Sequence, residues 1–222
     1  MTFDAHRLVG AVRRKVESRE WKGKTARVVI ADRTYPTDVD DVWDALTNPE
    51  RIPRWFMPIS GDLRLGGRYQ LQGNAGGVIE DCDAPRRLAV TWEMRGQTSW
   101  VIVVLTAEGE GETRLRLEHI AHEDEQFLGF WDQFGPGAVG VGWDLSLLGL
   151  AEHLETGGAP ATARDAAVWL TQGDGKTLGA AASNAWAEAA IAFGTDPEAA
   201  RAAADRTTAF YTGGGEGQGK RD

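Results

Sequence analysis

The densest run of side chains able to hold a metal or move a proton is His119, His122, Glu123, Asp124 and Glu125. A metal site needs several such groups converging at about 2 Å from the ion. His119 and His122 stand three apart at the end of an alternating segment and need not converge, and no H-E-x-x-H signature is present. The run reads as an exposed acidic loop, and no metal is expected. Gly135-x-Gly137-x-x-Gly140 has the spacing of a dinucleotide fingerprint but opens no βαβ unit. Close backbone approach where a helix crosses a sheet accounts for it. There is no G-x-S-x-G. Cys82 is the only cysteine, which excludes an internal disulfide; with no base recognisable beside it, it reads as a buried structural thiol. Strand parity puts His119 at an inner wall. A general acid or base needs a pKa near working pH and a substrate in reach, and the plainer reading is a satisfied core histidine. No catalytic residue and no cofactor are assigned.

Trp55, Trp92, Trp131 and Trp143 carry a stronger signal. They are scattered along the chain, yet a sheet wrapped on a helix would set all four around one space. Cavities for small molecules are mostly apolar and aromatic; a filled aromatic core is the plain alternative.

The element that must hold such a space is the stretch Phe134–Leu154, read as one long helix. Val139, Trp143, Leu147, Leu150 and Leu154 recur at helical spacing, and Val141, Leu145 and Leu148 form a second apolar strip. Before it, the chain reads as follows. Residues 3–20 carry a narrow stripe of Leu8 or Val9, Val12 and Val16 among basic residues and are expected to be helical, a solvated helix propped on the domain. Thr25–Tyr35 is β-branched and reads as a strand, ended by Pro36. Val39–Thr47 is a helix with an acidic first turn, and a short second helix follows through Arg54. Strands are expected at Leu63–Leu65, Arg68–Gln72, Val78–Cys82, Arg87–Met94, Ser99–Thr106 and Thr113–Ile120, separated by glycine-rich turns. Residues 121–133 form a loop or short helix. After Gly157-Gly158-Ala159-Pro160 the composition turns to alanine. Three helices are expected there: Ala163–Thr171, Leu178–Phe193 ended by Gly194, and Pro197–Tyr211 capped by Asp196.

Bulk numbers narrow the classes. With 222 residues the chain can bury one sizeable core and an appendage. A formal net charge of -9 argues against non-specific nucleic-acid binding and against docking on an anionic membrane. No apolar run has the length of a signal peptide core or a membrane span, so a cytoplasmic protein is the expectation.

One strand, two short helices, six antiparallel strands and a closing helix make a helix-grip order. The run T-Y-P-T-D-V-D-D-V-W-D-A-L-T-N-P-E-R-I-P-R-W-F resembles the opening of the START-like (SRPBCC) superfamily, specifically the homologues of the activator of heat-shock-protein-90 ATPase. G-D-L-R-L-G-G-R-Y, D-A-P-R-R-L-A-V-T-W and the G-x-G-W-D of the long helix fit the same family. The resemblance covers about Thr25 to Leu154. It implies a sheet wrapped on the long helix with a cavity between, and relatives that are small-molecule or lipid binders, cyclases or hydrolases.

The expectations are therefore an α+β helix-grip domain over 25–157, an N-terminal helix over 1–24, a helical extension over 158–212 packed on the domain, and a disordered tail over 213–222. The expected function is non-catalytic binding of a small hydrophobic or aromatic, lipid- or polyketide-like molecule. Alternatives are a cyclase or hydrolase using the same cavity, with His119 or a carboxylate as acid–base, and a chaperone ATPase-activating cofactor. The expected ligand-binding residues are Trp55, Phe56, Leu88, Trp92, Val101, Val103, Leu117, His119, Trp131, Phe134, Val139, Trp143 and Leu147. Left exposed, the second strip of the long helix would be a patch that monomers avoid. Val168, Trp169, Leu170, Leu178, Trp186, Ala190, Phe193, Phe210 and Tyr211 offer it a cover, and a homodimer would be another.

Overall fold

The computed structural model describes residues 4–158 and 166–214. Its centre is an eight-stranded antiparallel sheet: β1 Arg13–Trp21, β2 Lys24–Tyr35, β3 Ile59–Gly61, β4 Arg68–Leu71, β5 Gly76–Asp83, β6 Arg87–Met94, β7 Gln97–Ala107 and β8 Thr113–His122. Across the sheet the order is β1-β2-β8-β7-β6-β5-β4-β3. The helices are α1 Ala5–Gly10, α2 Val39–Thr47, α3 Glu125–Phe134, α4 Gly137–Glu155, α5 Ala166–Trp169, α6 Gly173–Phe193 and α7 Pro197–Thr212, with a single 3-10 turn at Ile52–Arg54.

Side chains alternate across each strand, and β2 shows what this does. Val29, Ala31 and Tyr35 face the core under α4, while Ala26, Val28 and Ile30 join Trp100, Ile102 and Ile120 on the opposite face. Among the described residues no helix side chain joins that outer cluster. Charged side chains roof it instead: Arg19 pairs with Glu118 at 2.6 Å, Arg116 with Asp32 at 3.2 Å, and Lys22 pairs with Glu80 while lying 5.1 Å from the Trp100 ring. Their aliphatic stems cover apolar surface while the heads stay wet.

The expected N-terminal helix over 1–24 is corrected. A six-residue helix gives way to the edge strand β1. Lys22 and Gly23 both have positive φ, 49° and 81°, the two-residue turn that matches the twist of a hairpin. Trp21 then faces Lys24, and the ladder runs back to Arg13 opposite Asp32. The expected strand Leu63–Leu65 is a turn with Leu65 63% exposed, and Ile59–Gly61 pairs with β4 in its place. The second short helix is reduced to the 3-10 turn.

The outer side of α4 is covered by α6, which also contacts α1 and β1, and α7 lies against α6 and α3. Val141 and Leu148 are buried beneath α6, as is Asp144. Trp186 of α6 is 0% exposed; its Nε1–H donates to Asp144 Oδ2 at 3.0 Å. Arg14 of β1 pairs with the same oxygen at 3.1 Å. The glycine spacing at the start of α4 serves the contacts with α6 and α7 rather than the crossing of the sheet. A Cβ on Gly140 would stand 2.2 Å from the Trp186 ring, and one on Gly137 would stand 3.1 Å from Thr207 of α7. Gly194 in the left-handed region ends α6, and Asp196 caps α7 by accepting from the amides of Glu198 and Ala199. Two members of the proposed cover are not covered themselves: Val168 is 54% and Phe210 55% exposed. The inward face of α7 is built from Ala200, Ala203, Ala204 and Thr207, and Phe210 lies beside it on the ring of Phe134. The boundary near Pro160, the start of the first extension helix and the tail from 215 onward lie outside the described residues.

Candidate functional site

A recess of about 420 Å³ lies between the concave face of the sheet and α4. Its floor comes from alternate residues of adjacent strands: Leu88, Val90 and Trp92 of β6, Val101 and Val103 of β7, Leu115 and Leu117 of β8. Trp143, Ser146, Leu147 and Leu150 of α4 form its roof. One end is closed by α2 and the turn after it, through Trp43, Leu46, Ile52, Trp55 and Phe56. Trp55 is fixed by its Nε1–H, which donates to the Ala45 carbonyl at 2.9 Å, and its ring stacks on Phe56 with centroids 5.3 Å apart. Gly149 lets α4 approach this turn: a Cβ there would lie 2.6 Å from the Trp55 carbonyl oxygen. Tyr69 of β4 lines the recess and spends its hydroxyl on the Thr91 carbonyl at 2.7 Å; burial raises its pKa. Arg64 and Leu65 lie on exposed backbone at the rim.

Of the thirteen residues expected from sequence, Trp55, Phe56, Leu88, Trp92, Val101, Val103, Leu117, Trp143 and Leu147 line this recess. His119, Trp131, Phe134 and Val139 do not. His119, Trp131 and Val139 line a second space of about 250 Å³ nearer α3, and Phe134 lines a third of about 390 Å³ between α3 and the α6–α7 pair. Sequence reasoning missed Trp43 and Leu46, which share one face of α2, and Tyr69 and Leu71, which alternate in β4. Both patterns are visible in the sequence once the neighbouring strands are known. Cys82 is exposed at the edge of the recess rather than buried. A bulge between Ile79 and Asp81 shifts the register of β5 just ahead of it.

His119 sits where three rings divide the two spaces. The centroids of Trp92 and Trp143 are 5.1 Å apart, those of His119 and Trp143 5.8 Å, and those of Trp92 and His119 6.2 Å. An indole N–H can only donate, and Trp143 Nε1 donates to His119 Nδ1 at 3.0 Å. The ring proton of neutral His119 is therefore on Nε2, 2.8 Å from Ser99 Oγ. Ser99 passes its own hydrogen to the Trp92 carbonyl at 3.2 Å. Burial lowers the His119 pKa to about 4, so the imidazole is neutral at pH 7 with both nitrogens engaged.

The acidic run has structural work. Glu123 pairs with Arg27 at 2.9 Å, and Asp124 caps α3 by accepting from the Phe127 amide at 2.8 Å. The His122 ring lies 4.8 Å from the Trp100 ring with its Nε2 2.9 Å from the Trp21 carbonyl oxygen, although the residue, like His119, borders the second space. Among the described residues no three His, Cys, Asp or Glu side chains converge, and no helix is long and apolar enough to cross a membrane.

A single antiparallel sheet gripping a long helix, with a recess between them, is the START-like (SRPBCC) fold. The sequence model of the family described as "Activator of Hsp90 ATPase homolog 1-like protein" matches residues 36–155, and the chain belongs to that family. The crystal structure of CalU16 from Micromonospora echinospora is 33% identical, covers 83% of this chain and 99% of its own, and superposes with a TM-score of 0.64. Its solution structure gives 34% identity over 91% and 94%, with a TM-score of 0.60. Protein MLL2253 from Mesorhizobium loti, 23% identical over 59% of this chain and 98% of its own with a TM-score of 0.51, shares the fold. No curated protein matches the chain.

Proposed function

We propose that the protein binds a small hydrophobic or aromatic molecule, lipid- or polyketide-like in character, in the recess between the sheet and α4, and does not transform it. The observation that carries this reading is the composition of the walls. About 420 Å³ falls within the range of sites for small organic ligands, roughly 300–1,000 Å³. Among the described residues the lining holds neither a carboxylate nor an imidazole. The guanidinium of Arg64, which also lines the recess, is paired with Asp62 at 2.7 Å. Hydrolysis or cyclisation would need a proton-transfer group in reach of the bound molecule; of the two such groups on the lining, Tyr69 spends its hydroxyl on the Thr91 carbonyl, and Cys82 stands exposed at the edge. His119 is held neutral, doubly hydrogen-bonded and on the far side of the Trp92–Trp143 contact, which weighs against it in that role.

The test is native mass spectrometry of gently purified protein, with tryptophan quenching against a panel of fatty acids and polycyclic aromatic polyketides. A retained mass, or saturable quenching that Leu117→Trp abolishes by filling the floor, is the expected result. Quenching by nothing in the panel, with no retained mass, would refute the proposal. The family description suggests one control. Stimulation of Hsp90 ATP hydrolysis at saturating protein would point to a chaperone-cofactor role instead.

A further inference from the structure

We propose that the second space, of about 250 Å³ between α3 and the β7–β8 end of the sheet, is a separate site for a neutral aromatic molecule carrying one O–H or N–H donor, a phenol- or indole-like compound. The site does not depend on the larger recess being occupied. Trp92, Trp143 and His119 stand between the two, and among the described residues only Trp92 lines both.

Size, shape and hydrogen-bonding capacity each narrow the ligand. An apolar cavity of about 150 Å³ holds one benzene ring, so about 250 Å³ suits one ring or two fused rings. The walls are aromatic: Trp92, Phe127 and Trp131 line the space, with the Phe127 and Trp131 centroids 5.5 Å apart, and Val139 lines the helix side. Ser99 Oγ is the informative polar atom. It receives the His119 Nε2–H and gives its only hydrogen to the Trp92 carbonyl. A hydroxyl oxygen has two lone pairs, so one acceptor position stays open, and a ligand can fill it only by donating. The charged groups of the site are already engaged. Arg27 is paired with Glu123 and lies 4.8 Å from both the Trp131 and Phe193 rings, Asp124 caps α3, and His122 Nε2 is 2.9 Å from the Trp21 carbonyl oxygen. A neutral ligand therefore fits better than an ion. Gln97 of β7 and Gln126 of α3 also line the space, and the first donates to the second at 2.5 Å.

The experiment uses the full-length protein, 2-naphthol as the probe and its methyl ether as a control of the same shape without the donor. Intermolecular NOEs locate the probe on the wild-type protein, and titration calorimetry measures it on variants. Expected are NOEs from 2-naphthol to the Phe127 and Trp131 rings. Ser99→Ala should weaken 2-naphthol by about fivefold, the size of one net hydrogen bond, and leave the methyl ether unchanged. Val139→Trp should fill the site and abolish these NOEs, while Leu88→Trp, which fills the larger recess, should leave them. NOEs only to Leu88 and Leu117 would overturn the second site while supporting the recess. Absence of binding up to the solubility of 2-naphthol would overturn it and leave the recess to its own ligand panel.

Discussion

Trp186→Ala tests the contact between α6 and the grip helix at its most buried point. The indole is 0% exposed, sits against Gly140 and donates to Asp144, with the Arg14 guanidinium 5.8 Å from its ring. Removing a fully packed tryptophan costs roughly 3–5 kcal/mol, the lost transfer energy plus the cavity left behind. Trp186→Phe separates the parts. It keeps most of the ring and removes the donor from a buried carboxylate, a loss of about 1–3 kcal/mol. Urea unfolding, followed by far-ultraviolet circular dichroism so that the lost indole does not change the signal, gives both values. A double-mutant cycle of Trp186→Phe with Asp144→Asn should return a coupling of about 0.5–3 kcal/mol, as expected for groups in contact. If Trp186→Ala unfolds at the wild-type urea concentration with the wild-type slope, α6 does not hold α4 in the way described, and the reasoning fails.

Other outcomes follow from the same geometry. Gly140→Ala places a methyl 2.2 Å from the Trp186 ring and should destabilise by about 1–3 kcal/mol or more, whereas Gly10→Ala, with nothing within 4 Å, serves as the neutral control in the same melts. A chain cut after Gly157 uncovers Val141 and Leu148 and should melt lower and self-associate on a sizing column; a monomer as stable as the full chain would contradict this. Two buried groups should oppose each other in acid. Burial raises Asp144 from 3.8 to about 6, so its contribution is full below pH 3.8 and lost as pH rises through 6; it lowers His119 from 6.5 to about 4, so that contribution is full above pH 6.5 and lost as pH falls through 4. At about 1.36 kcal/mol per tenfold change in acid constant, each is on the order of 3 kcal/mol. Asp144→Asn should therefore steepen the loss of stability between pH 6.5 and 4, and His119→Phe should reverse its sign, both read from urea midpoints across that range.

What the sequence revealed and what it hid have different physical sources. Strand alternation fixes which face a residue occupies, so Leu88, Trp92, Val101, Val103 and Leu117 could be assigned to one side before any strand was paired. It does not fix how far along that face a residue lies. His119 shares its side with Leu117 but sits one step beyond the Trp92–Trp143 contact, and Trp131 and Val139 lie beyond it too. The N-terminal strand was illegible for another reason. From Arg13 to Trp21 only Val16 is buried, because β1 is an edge strand whose outer face carries charged side chains. Val12 and Val16 then imitate a helical stripe, and the only local sign of a hairpin is the dipeptide Lys22-Gly23. Cys82 misled because its strand alternates until the bulge at Ile79/Asp81.

Asp144 joins parts of the chain that no local pattern connects. A carboxylate facing the apolar outer side of α4 looks like an error when that helix is considered alone, since burying an unpaired charge costs several kcal/mol. Arg14 reaches it from β1 and Trp186 from α6, and both residues lie outside the 36–155 segment that the family model matches. The helix that roofs the recess is thus fixed on one side by the sheet, through Trp143 and Leu147, and on the other by segments added at each end of the family domain. A loosened Arg14 or Trp186 would reach the recess by the shortest available route, because Trp143, which divides the two spaces, precedes Asp144 directly on the same helix. A change in ligand affinity on Trp186→Phe, with the protein still folded, is the measurement that would show this coupling.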